Sequence, residues 1–157
     1  MRVYFELNGK PQYVEVKPGE SLLALLRRLG MKSVKEGCGM GECGTCTVLL
    51  EGKPVRSCLT FAPKVQGKRV TTVEGLGSVN DPHPLQRAFV EAGAVQCGFC
   101  TPGMILTAYA LLEENPDPTP QEVREYLVGN LCRCTGYKKI VDAVLLAAQW
   151  KREGQWR

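Results

Sequence analysis

Eight cysteines are the residues of this chain best equipped for chemistry, and they fall into two sets of four. Cys38, Cys43, Cys46 and Cys58 are spaced C-x4-C-x2-C-x11-C, and Cys97, Cys100, Cys132 and Cys134 are spaced C-x2-C-x31-C-x-C. None is left over. Four thiolates are the full ligand set of an all-cysteine [2Fe–2S] cluster, and C-x4-C-x2-C is one of its spacings. Zinc is the rival, because C-x2-C is also common in zinc sites. Iron–sulfur clusters would make the chain a carrier of single electrons. Zinc would make it an interaction module.

The residues around the thiols bear on this choice. A [2Fe–2S] cluster with four thiolates is dianionic when oxidised and gains one more negative charge on reduction. A loop that turns its backbone N–H groups inward suits such a guest. Gly37, Gly39, Gly41 and Gly44 alternate with the first three cysteines in Glu36-Gly-Cys-Gly-Met-Gly-Glu-Cys-Gly-Thr-Cys46. Hydrogen bonds to the sulfurs also tune the potential. The second set is placed differently: Cys97 and Cys100 precede Thr101-Pro102, and Cys132 and Cys134 precede the last predicted helix. Both pairs are therefore expected at helix N-termini, where free N–H groups favour negative charge. Arg133, between two ligands, either raises a cluster potential or bonds a nearby carbonyl. His83, the only histidine, lies in Asp81-Pro-His-Pro84 and reads as a turn residue. Its absence from both motifs argues against a Rieske centre, which needs two histidines. The glycines at 37, 39 and 41 have no βαβ context and make no dinucleotide fingerprint. No Ser/His/Asp or Cys/His set with catalytic logic is evident.

These loops need elements to hold them. Residues 2–7 and 12–17 are β-rich and flank Asn8-Gly9, a strong hairpin turn. Ser21 and Gly30 bracket a short helix, Leu22–Leu29, as N-cap and C′ residue, with Leu22, Leu23, Leu25 and Leu26 in the core. Thr45–Leu50 and Lys53–Ser57 form a second hairpin around Glu51-Gly52, and Arg69–Val73 a last strand. The result is an α+β unit resembling the β-grasp fold of plant-type ferredoxins, assigned to residues 1–75. Residues 76–84 are rich in turn formers and read as a linker. Residues 85–157 are helical: a short helix ending at Gly93, one from Thr101 to about Glu114, one opened by the Thr119-Pro-Gln-Glu122 capping box, and one from about Tyr137 to Lys151. In the last, Ile140, Val141, Val144, Leu145 and Ala148 share a side. The expected architecture is a small four-helix bundle pinned by its own cluster.

A chain of 157 residues holds one or two domains. Its net charge of +4 comes from scattered bases rather than a stripe, so no nucleic-acid surface is expected. No apolar run approaches the ~20 residues of a membrane span. The N-terminus reads as a strand rather than a secretory leader, and Arg27-Arg28 lacks the apolar continuation of a twin-arginine signal. A cytoplasmic location follows, where clustered cysteines serve metals rather than disulfides.

The segments Gly-Cys-Gly-Met-Gly-Glu-Cys-Gly-Thr-Cys, Gln-Cys-Gly-Phe-Cys-Thr-Pro-Gly-Met and Gly-Asn-Leu-Cys-Arg-Cys-Thr-Gly-Tyr are similar to those of the iron–sulfur subunit of the molybdenum hydroxylases, the xanthine oxidase family. The likeness runs through the whole chain and departs at none of the eight ligand positions. It implies an electron-transfer subunit with two [2Fe–2S] clusters and no substrate chemistry of its own. It further implies that Cys97, Cys100, Cys132 and Cys134 hold the cluster nearer a molybdenum–pterin cofactor, and Cys38, Cys43, Cys46 and Cys58 the one nearer FAD. Gln96 and Cys134 match positions that contact the pterin, with support of the cluster from beside its ligands as the other role for Gln96. Pterin and FAD are expected in a large and a medium partner subunit, in a heterotrimer or its dimer. A free-standing two-cluster ferredoxin and a zinc module are the alternatives. On this resemblance the substrate is decided in the large molybdenum subunit.

Overall fold

A computed structural model describes all 157 residues. The fold is α+β, a mixed sheet with five α-helices. Strands β1 (Arg2–Leu7) and β2 (Lys10–Glu15) pair antiparallel, turned by Asn8 and Gly9. Both turn residues have positive φ, +51° and +77°, as the hairpin turn of an Asn-Gly pair requires. β2 begins and ends two residues earlier than the sequence pattern predicts, because the two-residue turn fixes Leu7 opposite Lys10. β3 (Thr47–Leu50) and β4 (Lys53–Arg56) form the second hairpin. β5 (Arg69–Thr71) enters between β1 and β3, parallel to the first and antiparallel to the second, giving the order β2-β1-β5-β3-β4.

Helix α1 (Leu22–Arg28) is capped as expected, with the Ser21 hydroxyl accepting from Ala24 N at 3.1 Å. Its leucines close a core with Val3, Phe5, Val48 and Val70. A second core fills the space among α2 (Pro84–Glu91), α3 (Thr101–Glu114), α4 (Pro120–Tyr126) and α5 (Lys138–Arg152), centred on Phe89, Met104, Leu112 and Ile140. Leu49 of β3 packs with Leu106 and Ala110 of α3 and joins the two halves. No helix is long and apolar enough to cross a membrane.

His83 is a buried helix cap rather than an open turn residue. Its Nδ1 accepts from Leu85 N at 3.1 Å, while Nε2 lies 3.0 Å from the Arg157 carbonyl. These contacts require the neutral ring with its proton on Nε2. Trp156 and Tyr109 stand edge-on to it, at centroid distances of 4.5 Å and 5.5 Å. Burial therefore holds the pKa below the ordinary histidine range, against the Arg157 carbonyl, which favours the charged form. Above the unfolded pKa of about 6.5 the ring is neutral in both states and contributes no pH dependence. As pH falls below that value the unfolded chain binds the proton first, so stability drops until the folded pKa is reached. The facing acids Glu113 and Asp81 have lowered pKa values and titrate at lower pH. The urea midpoint of the wild type should therefore fall between about pH 7 and pH 5, and His83→Asn, an N-cap that does not titrate, should flatten that fall. Parallel profiles for the two proteins would refute the assignment.

Candidate metal centres

The first four cysteines meet as two thiol pairs. Cys38 contacts Cys43, and Cys58 contacts Cys46, with Cys58 also within charge reach of Cys38. The loop between α1 and β3 wraps the Cys38 sulfur with backbone donors, the N–H groups of Met40, Glu42 and Cys43 at 3.4, 3.3 and 3.4 Å. Those from Cys43 and Met40 do most to lower the Cys38 pKa, to about 6. Burial pushes Cys58 the other way, to about 11, although a Gly41 N–H bond opposes it.

The glycines permit this arrangement in two ways. Gly39, Gly41 and Gly44 lie in the left-handed region, so successive N–H groups can face one side. Gly37 does not; there the need is clearance, because a Cβ would sit 2.9 Å from both the Cys43 sulfur and Thr45 Cγ2.

The second set also meets in pairs, Cys97 with Cys134 and Cys100 with Cys132. The pairs differ in setting: Cys100 and Cys132 are buried, whereas Cys97 and Cys134 are exposed. Burial raises Cys100 to about 12.

The expectation that both second-set pairs abut helix N-termini holds for one of them. Cys100 is the residue immediately before α3. The other pair is separated from α5 by Thr135, Gly136 and Tyr137, and the helix starts behind Tyr137 at φ +69°. Side chains replace the helix end there. The Thr135 hydroxyl donates to the Cys132 sulfur at 3.1 Å, and the Tyr137 hydroxyl accepts from Cys132 N at 3.0 Å. Burial would raise the Cys132 pKa, but the bonds from Thr135 and its neighbours leave it lowered. The Cys132-Arg-Cys-Thr-Gly-Tyr137 spacing carried that signal, since a hydroxyl three residues past a thiol can bond back to it. Arg133 is exposed and makes no hydrogen bond within the chain, so it is not tied to a carbonyl.

A polar seam binds the two cysteine loops to each other. Leu131 N donates to the Cys43 carbonyl at 2.9 Å, and Thr45 Oγ1 donates to the Phe99 carbonyl at 3.1 Å. Buried Asn130 donates to the Gly44 carbonyl at 3.2 Å and accepts from Thr107 at 3.0 Å. Arg56 spans Thr47 Oγ1 at 2.9 Å and the Gly129 carbonyl at 2.7 Å. Lys35 Nζ reaches the carbonyls of Gly98 and Phe99 at 3.1 and 3.2 Å.

The donor set fits two all-cysteine clusters: eight thiols in two fours, N–H and O–H groups aimed at sulfur, and a histidine fully engaged elsewhere. Comparison with known proteins agrees. Residues 5–73 match the family described as a 2Fe-2S iron-sulfur cluster binding domain, and residues 72–145 match a [2Fe-2S] binding domain. These matches set aside the zinc reading. The small FeS subunit of nicotinate dehydrogenase from Eubacterium barkeri is 51% identical over 94% of this chain and 94% of its own length. Aldehyde oxidoreductase of Megalodesulfovibrio gigas is 48% identical over 90% of this chain, which corresponds to only 16% of that longer protein. In the crystal structure of quinoline 2-oxidoreductase from Pseudomonas putida 86, one chain superposes with a TM-score of 0.94 at 46% identity, covering 99% of this chain and 98% of that one.

Proposed function

Because the chain belongs to the iron–sulfur subunits of the molybdenum hydroxylases, we propose which residues hold its two clusters and which way each cluster faces. The membership makes it an electron-transfer subunit of an oxidoreductase complex, without substrate chemistry on this chain. On our reading Cys38, Cys43, Cys46 and Cys58 hold one [2Fe–2S] cluster, and Cys97, Cys100, Cys132 and Cys134 the other. Each cluster, when bound, accepts and releases one electron at a time, which lets a two-electron oxidation be drained in single steps.

The chain's own residues define the settings. Backbone N–H groups on Cys38 and the Thr135 hydroxyl on Cys132 stabilise the more negative sulfur, which favours reduction. Burial of Cys46, Cys100 and Cys132 keeps water from three of the eight thiols. The orientation rests on one observation above all: Cys97, Cys134 and Gln96 are all exposed, while Cys100 and Cys132 behind them are buried. Gln96 makes no hydrogen bond within the chain and is free to meet the pterin of the large subunit. Met40 on the first loop and Leu59 and Phe61 just after β4 are exposed, and these side chains suit a flavin-bearing medium subunit.

The finer architecture follows the same lines. We read residues 1–75 as a β-grasp ferredoxin-like domain, 76–84 as the linker and 85–157 as a four-helix-bundle domain. The two separate cores support the division, and Pro84, the first residue of α2, marks the linker's end. Eight cysteines given to metal rather than to disulfides suit a cytoplasmic setting, and a heterotrimer or its dimer supplies the molybdenum–pterin and FAD chains.

Purification from the native source should bring down two larger chains, one with molybdenum and pterin and one with FAD, beside two [2Fe–2S] EPR signals after anaerobic reduction. Elution of the chain alone as a red-brown protein would instead indicate a free two-cluster ferredoxin.

A further inference from the structure

Two cations lie on the seam between the cysteine loops, and neither has an anionic partner. Lys35 Nζ donates only to the Gly98 and Phe99 carbonyls and sits 5.2 Å from the centroid of the Phe99 ring. Arg56 donates only to Thr47 Oγ1 and the Gly129 carbonyl, and its Nε is buried without a partner. Both side chains are half-buried. Elsewhere Arg28, Lys151 and Arg157 pair with Glu20, Glu113 and Asp81. A partly buried charge with no counter-charge is costly to keep, and truncating it to a neutral group would ordinarily be favourable.

The position of these charges supplies the compensation. Gly98 and Phe99 fall between Cys97 and Cys100. Thr47 follows Cys46, Arg56 precedes Cys58 by two residues, and Gly129 precedes Cys132 by three. Lys35, three residues before Cys38, thus reaches from the first loop to the carbonyls of the second, and Arg56 bonds residues beside both. We propose that Lys35 and Arg56 are potential-setting residues: fixed positive charges on the interdomain seam whose counter-ions are the two anionic clusters, and which shift both toward the reduced state. The proposal rests on the ligand assignment above.

The sign follows from charge alone. Reduction adds one negative charge to a cluster, so a nearby fixed positive charge stabilises the product more than the reactant. Partial burial matters as much as sign. Glu36 and Glu42 on the first loop and Arg133 on the last are exposed, where water and salt screen them, and Lys35 and Arg56 are not. The simpler role for the pair is a mechanical clamp on carbonyls, which any good hydrogen-bond donor would fill.

The test uses the intact complex carrying Lys35→Gln, Lys35→Met or Arg56→Gln, with Lys35→Arg and Arg56→Lys as charge-conserving partners. Iron content is measured first. The clusters are then titrated with dithionite and redox mediators and followed by EPR. Each neutral variant should keep wild-type iron and both signals. Both clusters should shift toward the oxidised form, the nearer one by about tenfold, equivalent to about 59 mV for one electron. The charge-conserving variants should stay within about threefold of wild type. Three results overturn the proposal: neutral variants that titrate as wild type, charge-conserving variants that shift as far as neutral ones, or neutral variants that lose iron while Lys35→Arg and Arg56→Lys keep it. A wild-type complex without two [2Fe–2S] signals overturns the ligand assignment itself, and the proposal with it.

Discussion

Replacing Cys100 by alanine should halve the iron of the chain, from about four atoms to about two, and erase one of the two [2Fe–2S] EPR signals. Cys100 is buried at the start of α3 and faces Cys132. Without it the helical half offers three thiols, too few for a closed all-cysteine cluster. The first loop makes its own hydrogen bonds to Cys38 and draws none from α3, so its signal should persist. Cys43→Ala should give the converse pattern. Iron analysis and EPR of the two variants side by side check both expectations. Loss of both signals in either variant would mean that the two sets do not load independently.

The second large effect concerns a residue with no side chain. Gly44 lies at φ +74°, and a Cβ there would meet the Gly129 carbonyl at 2.3 Å, Asn130 Nδ2 at 2.8 Å and Asn130 Cα at 2.9 Å. Two of these atoms are backbone and cannot swing aside. Gly44→Ala thus combines a left-handed alanine, about 1–2 kcal/mol, with overpacking of about 1–3 kcal/mol. A total of about 2–5 kcal/mol is a large part of the ~5–15 kcal/mol that holds a typical domain folded. Gly67→Ala is the control, with φ +70° but nothing within 4 Å of the added atom. It should cost only the backbone part. Urea unfolding of both variants measures the difference, and equal costs would show that the halves do not meet closely at Gly44.

Much of this was legible because its causes are local. Asn8-Gly9 announces a hairpin because both residues tolerate positive φ, Glu51-Gly52 does so through its glycine, and the structure turns at both. Thr101-Pro102 and Asn115-Pro bracket α3 to the residue, and the Thr119-Glu122 capping box opens α4. The cysteine spacing suggests the proposed ligand sets for a similar reason, as three of four in the first set share one loop. What the sequence concealed depends on contacts between distant residues. No local pattern tells that Arg56 will reach Gly129, that Asn130 will reach Gly44, or that β5 will slip between β1 and β3. His83 misled because Asp-Pro-His-Pro is a turn by composition, and only the packing of Trp156 and Tyr109 turns the imidazole inward. At the second pair, proximity in sequence to α5 suggested a helix end, whereas the left-handed Tyr137 moves that end away and brings two hydroxyls in its place.

The seam has a consequence for inheritance. Every hydrogen bond that fixes one cysteine loop against the other is made by residues between Lys35 and Asn130 or Leu131, all on this one chain. These bonds tie the spacing of the two centres to this chain's own backbone. A module that carries its own internal ruler can be cut loose as a separate gene product or spliced into a longer polypeptide without recalibration. Its relatives occur in both forms: nearly the whole of the nicotinate dehydrogenase small subunit, and 16% of the aldehyde oxidoreductase chain.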